Sequence, residues 1–243
     1  MSYIEQNAEE AFFRRQKKLL CRLEKERAPV IFDVGGNIGQ SIAAYKELFS
    51  DAVITTFEPQ EDCYDTLRRI YGGDEKVTLI NAACAESSGT LPFFTMKCNT
   101  VSSLLLPDAR VQRMSINHNY DYREISVPVV TLDSYCREKS LEKIDIVKID
   151  VQGAELGVLK GGTGLLSAGA VLIFYIEVIF SENYQGQCDL TAITSLLRRF
   201  DYVLWDIRPF LYTRSGRLWT ANAMYVSQAA CSKLEEYPID FPE

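Results

Sequence analysis

VIFDVGGNIGQS, residues 30–41, runs from apolar residues through an aspartate to glycines at 35, 36 and 39. The pattern predicts a short strand over 30–34, a tight loop, and a helix over 39–49 with Ile42, Tyr45 and Phe49 on one side. Glycine lets the backbone turn sharply and lets a ligand approach with no Cβ in the way. A dinucleotide loop has the form GxGxxG, whose second glycine admits a pyrophosphate to the helix N-terminus. Here the register is DxGxNxG, with Asn37 at that position and Asp33 ending the strand. An aspartate there is poorly placed beside a diphosphate and well suited to an ammonium or sulfonium group.

The strand–helix rhythm continues outward from this loop. AVITTFE (52–58) reads as a strand, EDCYDTLRRIYG (61–72) as a helix closed by glycine, and KVTLINAA (76–83) as a third strand. It resumes with the strand KIDIVKID (143–150), the helix AELGVLKGGTGLL (154–166) and AVLIFYIEV (170–178), a nearly continuous apolar run expected of a central strand. A helix over 189–200 and strands over 202–207 and 221–227 follow. Strands separated by helices imply a mostly parallel α/β sheet with helices on both faces. Upstream, residues 5–27 predict an amphipathic helix with Phe12, Leu19 and Leu23 on one face, set apart as an N-terminal segment (1–28) from the domain over 29–243. The rhythm breaks over 84–130, where two β-like pieces (90–96 and 125–130) flank a polar stretch, 97–124, without helical period. A long insertion in a compact domain is more often functional than idle, so this is the expected acceptor-binding lid.

Composition narrows the partners. The 243 residues are 47% hydrophobic, enough for a sizeable core, and the formal charge of −7 speaks against a nucleic-acid backbone as partner. Seven dispersed cysteines without a CxxC pair fit reduced thiols of a cytoplasmic protein. The charged N-terminus has no secretion-signal core, and no window supplies the roughly 18 apolar residues of a membrane span.

Glu58 ends the second strand, nineteen residues after Gly39. An acidic side chain at that place accepts hydrogen bonds from both ribose hydroxyls, which supports a nucleoside-bearing cofactor, either a nicotinamide dinucleotide or S-adenosylmethionine. Asn81 and Ala82, near the end of the third strand, mark where an adenine ring would lie in either case.

DVGGNIGQS with its downstream FEP, TLDSY (131–135), KIDVQGAELGVLKGG (148–162) and the strand end IEV (176–178) together resemble the FkbM-type family of S-adenosylmethionine-dependent methyltransferases over roughly residues 29–228. The resemblance implies a Rossmann-like seven-stranded sheet with an antiparallel last strand. It also implies methyl transfer to a hydroxyl of a sugar, glycan precursor or other small metabolite, leaving S-adenosylhomocysteine. Carried over by motif, Asp33, Gly35, Gly36, Asn37 and Gly39 line the methionine part of the cofactor, Glu58 holds the ribose, and Asp150 faces the transferring methyl group. Family members commonly carry glutamate where this chain has Gln152, so any role of that carboxylate is absent or weakened.

Transfer to oxygen needs positioning and a destination for the hydroxyl proton. Asp150 and Glu177 end neighbouring strands, where open α/β sheets bind ligands, and His118 in the insertion has a suitable unperturbed pKa. These three are the expected catalytic residues, with Glu155 at a helix start and Ser102 and Ser103 as further contacts. Asp150 and Glu177 would instead suit a divalent cation, but no third ligand is evident and no metal site is assigned. The alternatives are an NAD(P)-dependent oxidoreductase on the same sheet, against which the missing second glycine counts, and a non-catalytic module of the same fold.

Overall fold

The computed structural model describes residues 3–23, 27–114 and 121–234. In chain order, α1 (Tyr3–Leu23) precedes β1 (Val30–Val34), α2 (Gln40–Leu48), β2 (Val53–Phe57), α3 (Glu61–Tyr71) and β3 (Val77–Ile80). After the insertion come α5 (Leu132–Lys139), β7 (Ile144–Ile149), α6 (Glu155–Lys160), α7 (Thr163–Ser167) and β8 (Val171–Ile179). The chain then forms α8 (Leu190–Arg198), β9 (Tyr202–Tyr212), β10 (Leu218–Ser227) and α9 (Gln228–Leu234). Seven strands build one sheet in the order β3-β2-β1-β7-β8-β10-β9, with β10 antiparallel to both neighbours and the other pairings parallel.

Alternation of side chains along the strands decides which helices go where. Phe32, Val34, Val147, Ile149, Phe174 and Ile176 point to one face and pack with α5, α6, α7 and α8. Ile31, Ile54, Ile146, Ile173, Tyr175 and Met224 point to the other, under α1, α2, α3 and α9. Each such fully buried side chain contributes roughly 1.5–3 kcal/mol. The predicted N-terminal helix joins this core through Phe12 and Phe13, whose rings meet Tyr45 and Tyr175.

Charged residues inside the central strand β7 are paired. Asp145 receives Arg27 at 2.5 and 2.7 Å and the Val30 N–H at 2.7 Å, which ties the entry of β1 to the entry of β7. Lys148 sits beside Asp33 on the neighbouring strand.

Several expectations are corrected. The third strand ends at Ile80, because Asn81 turns its amide onto the Glu58 carbonyl at 2.9 Å and the chain leaves the sheet. Residues 83–84 form β4 (Ala83–Cys84) of a second sheet, order β4-β6-β5, with β5 (Gly89–Met96) and β6 (Tyr122–Val130). The stretch without helical period holds a 3₁₀ turn (Asn99–Val101) and α4 (Ala109–Met114). The helix over 154–166 is two, since Asp133 caps a new start at Gly164 and Leu165 with bonds of 2.7 and 2.9 Å. TLDSY itself opens α5 with a reciprocal Thr131–Ser134 capping box. The last two strands run longer than their periodicity shows, since Pro209 is tolerated on the edge strand β9 beside a register shift.

Candidate active site

The chain runs β1, β2, β3 outward in one direction, then returns to place β7 on the other side of β1. Strand order reverses between β1 and β7, and open α/β sheets bind their ligands outside the carboxyl ends of the strands at such a point. A cavity of about 570 Å³ lies there, within the roughly 300–1,000 Å³ of small-molecule sites. Its floor follows the sheet order: Glu58 after β2, Gly35 to Asn37 after β1, Lys148 and Asp150 at β7, Glu177 on β8, Thr220 on β10 and Leu211 on β9. Cys98 to Ser102 and Leu104 of the insertion add a wall above.

The loop glycines answer first to the fold. A Cβ on Gly35, whose φ is +86°, would stand 1.9 Å from the Asp150 carbonyl, and one on Gly36 2.0 Å from Thr56 Oγ1. Their amides both donate to the Phe57 carbonyl, at 3.0 and 3.1 Å. The loop is therefore pressed between the ends of β2 and β7, and its shape is set before any ligand arrives.

Glu58 is buried yet lines the cavity. Its Oε2 accepts the Asn37 N–H and its Oε1 the Gln60 N–H, each at 2.8 Å. Burial pushes its pKa up to about 7, against the pull of those two amides. A carboxylate oxygen has two lone pairs, so each keeps one for a further donor.

Asp33 does not reach the cavity wall. It is fully buried under the loop, with Thr56 Oγ1 at 3.3 Å from Oδ2 and Lys148 Nζ at 3.3 Å from Oδ1. Burial raises its pKa and Lys148 opposes the rise. Gly39, Asn81 and Ala82 also lie outside the wall, where Ala83 and Cys84 stand instead. Gly39 begins α2 with φ +97°, its carbonyl taking the Tyr71 hydroxyl at 3.2 Å.

Asp150 and Glu177 do come together. Gln152 Nε2 reaches Asp150 Oδ1 at 2.9 Å and Glu177 Oε2 at 2.6 Å. Lys148 Nζ is 3.5 Å from Asp150 Oδ2. Burial, and then the neighbouring Asp150, hold the Glu177 carboxyl well above the usual carboxylate range. His118 lies outside the described residues. Among the described residues no group of three or more His, Cys, Asp or Glu side chains is arranged to hold a metal ion.

Glu155 turns inward instead of lining the cavity. Its Oε1 accepts the N–H groups of Gly153 at 2.9 Å and Val151 at 3.3 Å, and its Oε2 the Cys188 thiol at 3.2 Å. Burial lifts its pKa to about 7. A raised carboxyl pKa favours the folded state at low pH, and that contribution is lost as pH rises from 4.5 through about 7. Glu155→Gln keeps the acceptor oxygen and removes the ionisation. Its urea-unfolding free energy should exceed that of the parent by up to about 3 kcal/mol near pH 8 and converge with it near pH 5. Parallel curves across that range would rule out the assigned role.

Lys148, Gln152 as a bridge, Tyr184 and the Trp219–Thr220 pair are site features that the sequence reading missed. A lysine in the second half of the central strand IDIVKI, among Val147 and Ile149, was the available signal for Lys148. No membrane-crossing helix occurs among the described residues, and none of the seven cysteines forms a disulfide.

A family model described as the Methyltransferase FkbM domain matches residues 33–204. The 2-O-methyltransferase NoeI of Sinorhizobium fredii (strain NBRC 101917 / NGR234) is 31% identical over 193 residues, covering 77% of this chain and 78% of that protein. Methyltransferase sdnD of Sordaria araneosa is 32% identical over 155 residues, 55% of this chain and 60% of its own length. Among solved structures, the METTL16 MTase domain superposes with a TM-score of 0.52 at 10% identity, covering 89% of this chain and 66% of that one. WbdD, crystallised with the kinase inhibitor LY294002, gives 0.53 at 12% identity over 91% of this chain and 41% of its own. Both structures share the fold. With the strand-end cavity and the motifs that build it, the family match over residues 33–204 and the likeness to NoeI lead to one conclusion: the chain belongs to the FkbM methyltransferase family.

Proposed function

We propose that the protein is an S-adenosylmethionine-dependent O-methyltransferase acting on a hydroxyl of a sugar, glycan precursor or other small metabolite. The observation that carries this reading is the order of groups along one cavity, from Glu58 and the Asn37 loop to the Asp150–Gln152–Glu177 cluster. NoeI, a relative named for 2-O-methyl transfer, supports the choice of oxygen.

The donor set suits the cofactor. Glu58 keeps lone pairs for a vicinal diol, and carboxylates along the floor favour a sulfonium over a diphosphate. Asn37 is held at φ +46° with its N–H on Glu58, so ribose site and loop form one rigid unit. Asp33 then acts from below, through Lys148 and Thr56, and not as a wall residue.

When bound, the cofactor supplies an electrophilic methyl group. The chain has to orient the acceptor hydroxyl, exclude water and accept a proton. Asp150 accepts the proton, since Gln152 and Lys148 hold its two oxygens in place. Burial, and then Asp150 itself, raise the Glu177 pKa, which disfavours a second negative charge beside Asp150. Leu211, Trp219 and Leu104 give the acceptor an apolar wall. Calorimetric titration with S-adenosylhomocysteine tests this reading, as set out at the end of the Discussion.

A further inference from the structure

Gln152 is fixed at both ends. Its backbone has φ +56°, Ser103 Oγ donates to its carbonyl at 2.8 Å, and Glu155 Oε1 accepts the next N–H at 2.9 Å. The Tyr184 hydroxyl is shared between Val101 O at 2.7 Å and Gln152 Oε1 at 3.2 Å. The amide nitrogen is left with two N–H bonds, and one goes to each acid: Asp150 Oδ1 at 2.9 Å and Glu177 Oε2 at 2.6 Å.

Two carboxylates in one pocket must share a proton, a donor or a cation. Hard divalent cations are a common solution, because carboxylate oxygens are their preferred ligands. In this chain one amide nitrogen donates to both acids instead. Lys148 Nζ is 3.5 Å from Asp150 Oδ2 and 3.3 Å from Asp33 Oδ1, so its charge is divided between the two.

We infer that Gln152 replaces a divalent cation between Asp150 and Glu177, so that the site works without bound metal and its amide alone separates it from a three-carboxylate cation site. Gln152 is thus a positioning residue, acting through the two acids. The inference concerns the acids of the proposed active site but not the reaction assigned to them. Cation binding therefore tests it whether or not methyl transfer is found.

The full chain and its Gln152→Glu variant are titrated with Mn²⁺ near neutral pH, free ion being read by electron paramagnetic resonance. The parent should show no more than weak surface binding. Gln152→Glu should gain one site at least about 10-fold tighter, and adding Asp150→Asn should remove the gain. Parent binding as tight as the variant's, lost on Asp150→Asn, would overturn the inference, as would a folded Gln152→Glu that gains nothing. If Gln152→Glu does not fold, Gln152→Met decides: it takes away both donors, so Mn²⁺ should bind more tightly than to the parent, and no gain would overturn the inference.

Discussion

Asp150→Asn should lower kcat for methyl transfer by about 100-fold or more, while S-adenosylhomocysteine binds within a few-fold of the parent. The substitution keeps shape and the Gln152 contact, since an amide oxygen still accepts from Nε2, 2.9 Å away in the parent. What disappears is the carboxylate proposed to receive the hydroxyl proton. General-base removal costs typically 10²–10⁴-fold, and the sulfonium's own electrophilicity sets the floor. Glu177→Gln should cost less, because burial, and then the neighbouring Asp150, raise the Glu177 pKa and disfavour its charged form. Steady-state kinetics on the two variants separate the roles. Equal losses, or a larger loss at Glu177, would transfer the base to Glu177.

Lys148→Met should be the most destabilising single change in the site. Asp33 is 0% exposed, Lys148 Nζ stands 3.3 Å from its Oδ1, and no other donor among the described residues takes that oxygen. Removing one partner of a buried pair leaves an uncompensated charge and costs about 3–5 kcal/mol. Burial raises the Asp33 pKa and Lys148 opposes that rise, so the variant pushes it further up. A raised carboxyl pKa removes stability as pH rises, so the deficit should grow from acid to neutral pH. Asp33→Asn with Lys148→Met should recover most of it, because no charge is then buried. Urea unfolding of the four proteins closes the cycle, and additive losses would refute the pairing.

The sheet was legible because its strands are short, apolar and separated by amphipathic helices, and because burial on both faces leaves β8 almost without polar residues. Glu58, the Gly35–Asn37 loop and Asp150 were legible for a related reason, as each lies in the turn directly after a strand, and Glu177 lies among the last three residues of one. What the pattern could not give depends on contacts between distant segments. Asp33 lies in the predicted strand over 30–34 and was expected to line the cofactor, yet it faces Lys148 across a strand pair that sequence spacing does not reveal. Asn81 reads as strand until its side chain is seen on the Glu58 carbonyl. Gln152 is visible in the sequence only as a departure from glutamate. Its work as a bridge follows from Tyr184, Ser103 and Glu177, which lie 25 to 49 residues away. Among its described residues, the polar run 97–124 gave no period where its backbone is held by other segments, as by the Asp108 N–H on the Asn183 carbonyl at 2.8 Å.

S-adenosylmethionine is proposed to bind in this cavity with its ribose on Glu58. Isothermal titration of the parent and of Glu58→Ala with S-adenosylhomocysteine tests it most directly. The parent should bind at one site per chain, and the folded variant should lose at least about 10-fold in affinity, as expected for hydrogen bonds to a charged group. No heat of binding in the parent, or equal affinity in both proteins, would contradict it.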